Sequence, residues 1–274
     1  MKYKAFCTDI DGTFLDANRQ LSKRTIAAVK QLDQDIPVIL ASSRMPSAMR
    51  HLQQELEILH HPLICYNGGY VLYYNLGAAT PEVIDSVQIP VEICQYIRQQ
   101  VKETDIHVSL YQNDDWFAPR HDEWTQREIR NTKVTPSIAA PADTLARWEA
   151  AGTGAHKVMC MGPEKEIQVL EEALNASFAD QIYVYKSKST YLELASRQIS
   201  KATALELLLQ KKFDFGMSEV VAFGDNYNDI DMLKAVGMGV AVGSARPEVK
   251  EAAKETTAAS VDDGVAMAIE KYFL

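Results

Sequence analysis

Short β-rich, apolar runs that stop at a polar residue, each followed by a helix-patterned stretch, constrain this chain more than any other feature. The run from Tyr3 to Thr8 ends at Asp9 in an Asp/Gly turn. Ser22 then caps a helix whose apolar positions Ile26, Val29 and Leu32 recur at helical spacing. Val38 to Ala41 leads through Ser42, Ser43 and Arg44 to Pro46, a favoured first helical residue, and to the stripe Met49, Leu52, Leu56, Leu59. A third run, Leu63 to Tyr66, stops at Asn67-Gly68-Gly69. This alternation predicts an α/β fold with a doubly wound, Rossmann-like parallel sheet covered on both faces.

From about Val83 the texture changes. Alternating segments Val83 to Ile89 and Ile106 to Tyr111 appear beside helical stretches near Val91 to Glu103, Asp143 to Ala151 and Pro163 to Phe178. Strand-like runs at Lys157 to Met161, Ile182 to Tyr185 and Tyr191 to Leu194 complete a second α/β unit with an expected antiparallel sheet. After Ser200 the opening pattern returns, and the apolar strand Val220 to Phe223 ends at Gly224-Asp225. The 274 residues are thus read as a core, 1–82 and 189–274, interrupted by an inserted unit over 83–188.

Ligands of an interrupted doubly wound domain bind outside the carboxyl ends of the strands, near a topological switch point. Asp9, Ser42, Asn67 and Asp225 each stand at such an end. The formal charge of −9, from 28 Lys and Arg against 37 Asp and Glu, has the wrong sign for nucleic acid or an anionic membrane. An anionic substrate must therefore be held by local features. Met1-Lys2-Tyr3-Lys4 lacks the apolar core of a signal peptide, and no stretch approaches the roughly 20 apolar residues of a membrane helix, so a cytoplasmic location is expected. Cys7, Cys65, Cys94 and Cys160 show no Cys-x-x-Cys spacing and are read as buried thiols, and Trp116 and Trp124 as core of the inserted unit. His60-His61 before Pro62 are read as solvated, and His51, His107, His121 and His156 are scattered without ligand spacing.

The acidic strand ends do not fit a calcium loop. Counted from Asp9, the position that needs glycine holds Phe14 and the final glutamate is Gln20. They suit Mg²⁺ instead, which takes a few carboxylates, several waters and a substrate phosphate. With such an ion present, one aspartate can act as a nucleophile toward phosphorus, and a second carboxylate beside it can play another role. Phosphoryl transfer also calls for donors around the phosphate oxygens. Ser42, the backbone near Ser43 and Lys201 offer them.

Four segments carry a resemblance. Asp9-Ile10-Asp11-Gly12-Thr13-Phe14-Leu15, Ala41-Ser42-Ser43-Arg44, Ser200-Lys201 and Gly224-Asp225-Asn226-Tyr227-Asn228-Asp229 with Met232 resemble, in order, the motifs of the Cof-type phosphatases of the haloacid dehalogenase superfamily. The resemblance implies that Asp9 attacks phosphorus and that Asp11 protonates the leaving oxygen and then activates water. It implies Mg²⁺ on the Asp9 carboxylate, the Asp11 carbonyl and Asp225, with Asp229 in support. Ser42, Ser43 and Lys201 would bind phosphate; Arg44, Asn67, Gly68 and Asn228 would line the site. The inserted unit would be a cap selecting a small phosphorylated metabolite, and oligomeric state is not specified. The chain departs from the family at Ser43, Ala202, Ser244 and Ser260. Two rivals share the aspartyl-phosphate: a phosphomutase, and a signalling phosphoreceiver, which the acid/base at Asp11 argues against. Neighbouring carboxylates are expected to raise the Asp11 pKa.

Overall fold

The protein is described by a computed structural model covering residues 3–75 and 77–274. In chain order the elements are β1 (Ala5–Thr8), α1 (Lys23–Lys30), β2 (Val38–Ala41), α2 (Ser47–Glu55), β3 (Leu63–Cys65), β4 (Tyr70–Tyr73) and β5 (Glu82–Ser86). There follow α3 (Val91–Gln100), β6 (His107–Gln112), β7 (Asp115–Ala118), α4 (Glu123–Thr132), β8 (Ser137–Ile138), α5 (Pro141–Ala151), β9 (Lys157–Met161), α6 (Glu164–Phe178), β10 (Ile182–Lys188) and β11 (Tyr191–Ser196). The last stretch holds α7 (Lys201–Lys212), β12 (Val220–Gly224), α8 (Ile230–Ala235), β13 (Met238–Ala241), α9 (Pro247–Ala252), β14 (Glu255–Thr256) and α10 (Gly264–Phe273).

Two compact units result: Met1–Arg44, Met49–Asp85 and Ser200–Leu274 form one, Met45–Ala48 and Ser86–Ile199 the other. The first is built on an eight-stranded sheet in the order β14-β13-β12-β1-β2-β3-β4-β5. Pairings from β14 across to β3 are parallel, and β4 runs antiparallel to β3. The central strands are apolar and buried along their whole length, as a parallel sheet covered on both faces requires. Strand order reverses at β1, which has β2 on one side and β12 on the other. Ser22 caps α1 as its sequence implies, its hydroxyl accepting from the Thr25 N–H.

The second unit carries a six-stranded sheet, β10-β11-β9-β6-β7-β8, antiparallel except for β7 with β8. Its core gathers Ile97, Leu110, Trp148, Val158, Leu170 and Leu192. Trp116 is buried with its indole N–H on Ser109 Oγ, whereas Trp124 is half-buried and edge-on to Tyr191. Three segments fall on the other side of the boundary read from the sequence, the short stretch Met45–Ala48 among them. Residues 83–85 lie in β5, which pairs with β4 at the rim of the first sheet. Residues 189–199 run with the second unit because β11 pairs with β9 and β10. The four cysteines are buried, and among the described residues no helix is long and apolar enough to cross a membrane.

Candidate active site

Strand register brings the polar strand ends to one level. Thr8 at the end of β1 is matched with Leu40 of β2 and Phe223 of β12, so the residues just beyond these strands emerge side by side. The Asp9 N–H donates to the Phe223 carbonyl at 3.0 Å, and the Ser42 N–H to that of Ile64 at 2.9 Å. The Asn67 N–H in turn donates to the Ser42 carbonyl at 2.9 Å, and Asn228 Nδ2 to Asn67 Oδ1 at 2.9 Å. Tyr66, Asn67 and Gly68 all have positive φ, at 53°, 58° and 112°. A Cβ on Gly68 would stand 2.6 Å from the Ser200 carbonyl oxygen, so only glycine lets this turn reach the start of α7 and Lys201.

Asp9, Asp225 and Asp229 converge, each offering a carboxylate oxygen within 4.8 Å of the others. Lys201, with no solvent exposure, donates from Nζ to Asp9 Oδ1 at 2.5 Å and to Asp229 Oδ1 at 2.7 Å. Asp229 Oδ2 accepts the N–H groups of Asp225 and Asn226, both at 3.0 Å. Two of the three carboxylates therefore share one ammonium. Burial, opposed by Lys201 and reinforced by Asp229 and Asp225, pushes Asp9 up to about 8. Burial and Asp229 push Asp225 up to about 6. Such a buried, all-oxygen donor set lacks positive charge and fits a hard divalent cation. Both oxygens of Asp229 are engaged, one by Lys201 and the other by the Asp225 and Asn226 N–H groups, so it braces the cluster from within.

Asp11 does not join it. Its carboxylate turns to Arg44, which donates from Nε to Oδ2 and from Nη2 to Oδ1, both at 2.8 Å, with Arg19 Nη1 at 3.7 Å from Oδ1. Burial pushes Asp11 up, but the hydrogen bonds and charge of Arg44, with Arg19 and Lys201 beyond, outweigh it and hold the carboxyl below its ordinary value. The expectation that neighbouring carboxylates raise Asp11 is therefore corrected. Arg44, expected to line the site, is the residue that grips it. Lys201, expected on phosphate, here neutralises two carboxylates.

Ser42 is buried with Oγ accepting the Arg44 N–H at 3.3 Å, while Ser43 is half-buried beside it. Two residues carried no role in the sequence reading. Thr13 Oγ1 donates to Asp225 Oδ1 at 3.1 Å, and Arg19 reaches Asp11 from a neighbouring turn. Thr13 could have been singled out by its place directly after Asp11-Gly12; Arg19 offered no such signal.

A family model for haloacid dehalogenase-like hydrolases matches residues 6–269. The chain belongs to that family. A Haemophilus influenzae relative, whose name proposes a phosphatase without naming a substrate, is 33% identical over 275 residues, covering 100% of this chain and 99% of its own. The HMP-PP phosphatase of Yersinia enterocolitica is 27% identical across 91% of this chain and 87% of its own. The crystal structure of a haloacid dehalogenase-like hydrolase from Bacteroides thetaiotaomicron superposes with a TM-score of 0.86 at 27% identity, over 99% of this chain and 100% of that one. This haloacid dehalogenase-like protein is an enzyme of the phosphatase group, with the parallel-sheet core and second α/β unit of its relatives.

Proposed function

We propose that the protein hydrolyses a small phosphate monoester with Mg²⁺ through an aspartyl-phosphate on Asp9. The convergence of Asp9, Asp225 and Asp229 around Lys201 at the carboxyl ends of β1 and β12 carries this reading. The Asp9 carboxylate, the Asp11 carbonyl and Asp225 would hold Mg²⁺, with Asp229 in support. The ion supplies electrostatic screening that lets an anionic phosphate approach a carboxylate.

A carboxylate oxygen of Asp9 bonds to phosphorus as the bond from phosphorus to the leaving oxygen breaks, and that oxygen takes a proton from Asp11. Water then attacks phosphorus, Asp11 takes the water proton, and the bond to Asp9 breaks to release inorganic phosphate. Arg44 prepares Asp11 as the base of the second half. The substrate's negative charge beside Asp11 favours its protonated form for the first half. Ser42, Ser43 and Lys201 would hold the phosphate oxygens, and Asn67, Gly68 and Asn228 would border them. The second unit would be the cap, and its side chains would select the leaving group. Relatives named for HMP-PP support a small phosphorylated metabolite as substrate.

Phosphate release from a panel of small esters with Mg²⁺, together with acid-quench trapping of radiolabelled protein from a labelled ester, tests the reading. Label is expected on the wild type and absent from Asp9→Asn. Turnover without label, or label on the Asn variant, would overturn it.

A further inference from the structure

Positive charge is unevenly divided across the site. On the metal side Asp9, Asp225 and Asp229 face one cation, Lys201. On the Asp11 side the ratio inverts, because one carboxylate faces two guanidinium groups. Arg44 already satisfies Asp11, engaging both oxygens in a planar fork. Arg19 adds a second cation with no hydrogen bond to give, since its nearest approach to Asp11 is 3.7 Å. An ion pair of that length, with the Arg19 side chain 48% exposed, contributes little to stability.

The backbone nevertheless holds Arg19 in place. The Asp16 carboxylate accepts the N–H groups of Asn18 at 2.8 Å and Gln20 at 2.9 Å, and the Arg19 N–H donates to the Asp16 carbonyl at 3.0 Å. Arg19 itself sits at φ 60°, a conformation that glycine or asparagine adopts more readily than arginine. The turn therefore presents a long cationic side chain at a set position next to the acid/base, on the side where the leaving group must lie.

We propose that Arg19 is a substrate-binding residue that leaves Asp11 to pair with a second anionic group on the leaving group, so that the enzyme favours phosphate esters carrying a carboxylate or a further phosphoryl group near the scissile oxygen. The placement of the leaving group beside Asp11 rests on the proposed function; the excess of positive charge does not. Binding such a group supplies the negative charge that two arginines around one carboxylate lack, and it draws Arg19 away from Asp11 on the side of the leaving oxygen.

Binding is measured by calorimetry with excess Mg²⁺, so no turnover is needed. Methylphosphonate provides the single anion, phosphonoacetate the carboxylate arm and methylenediphosphonate the phosphoryl arm. Wild type is expected to bind at least one of the two-headed ligands about tenfold or more tighter than methylphosphonate. That ratio should fall to about twofold or less in Arg19→Ala and recover in part in Arg19→Lys. Arg19→Gly keeps the turn at least as readily, so it should behave as the alanine variant; a ratio preserved there assigns the effect to elsewhere and overturns the proposal. Equal binding of all three ligands to wild type overturns it as well. If no ester is hydrolysed but the ratio behaves as expected, the proposed reaction fails while the role of Arg19 stands.

Discussion

Arg44 grips both oxygens of Asp11 at 2.8 Å, so the acid/base of the proposed reaction rests as a carboxylate. Arg44 is itself buried, which fixes the fork where a solvated arginine would sample many positions. The same contact that orients Asp11 also opposes its acid role.

Arg44→Gln should therefore move the Asp11 pKa up, since a partner that favours the charged form is lost. For a poor leaving group, the alkaline limb of the pH profile of kcat/KM should shift to higher pH, because Asp11 stays protonated longer. Lost orientation should lower kcat by about tenfold or more. A limb that stays in place or moves to lower pH would remove Arg44 from this role.

Asp9→Asn separates activity from stability. Turnover should fall by about 10³-fold or more, since the amide is no nucleophile. The metal-free variant should melt no lower than the wild type, because a buried carboxylate that resists ionisation has been replaced by a neutral group of the same shape. Thermal melts in EDTA check this, and a marked fall in Tm would contradict it.

Mg²⁺ should stabilise the protein more at pH 8 than at pH 5. Asp9 near 8 and Asp225 near 6 lie above their unfolded values near 4, so the metal-free folded state holds extra protons between about pH 4 and 8. Stability from these groups is complete below that window and is lost as pH rises through it. The cation takes the place of those protons. The difference in Tm between Mg²⁺ and EDTA should widen with pH; a constant or narrowing difference would count against the carboxylate cluster as the metal site.

Gly12→Ala tests how closely the first and last parts of the site are fitted. At φ 89° an added Cβ would stand 2.5 Å from Asp225 Oδ2, so the new methyl must displace that carboxylate. Mg²⁺ affinity should fall by about tenfold or more by calorimetry, with the far-ultraviolet circular dichroism unchanged. Wild-type affinity would show that Asp225 is not a ligand.

Much of this protein was legible in one dimension. The apolar runs before Asp9, Ser42, Asn67 and Asp225 imply strands buried on both faces, and a parallel sheet must place such ends along one edge. Ser22 announces a helix start because a cap acts over three residues. The edges of the inserted unit were less legible, since whether 82–86 and 191–196 join one sheet or the other depends on pairing with distant strands.

Residue order thus determined which groups reach the site: the carboxylates, the hydroxyls and one lysine, each tied to a strand or helix end. Tertiary structure alone decided what each does there. Lys201 meets Asp9 across 192 positions of sequence and Asp11 meets Arg44 across 33, and the charge state of each follows from that contact. Electrostatic energy depends on distance in space and on burial, and neither is written in the order of residues.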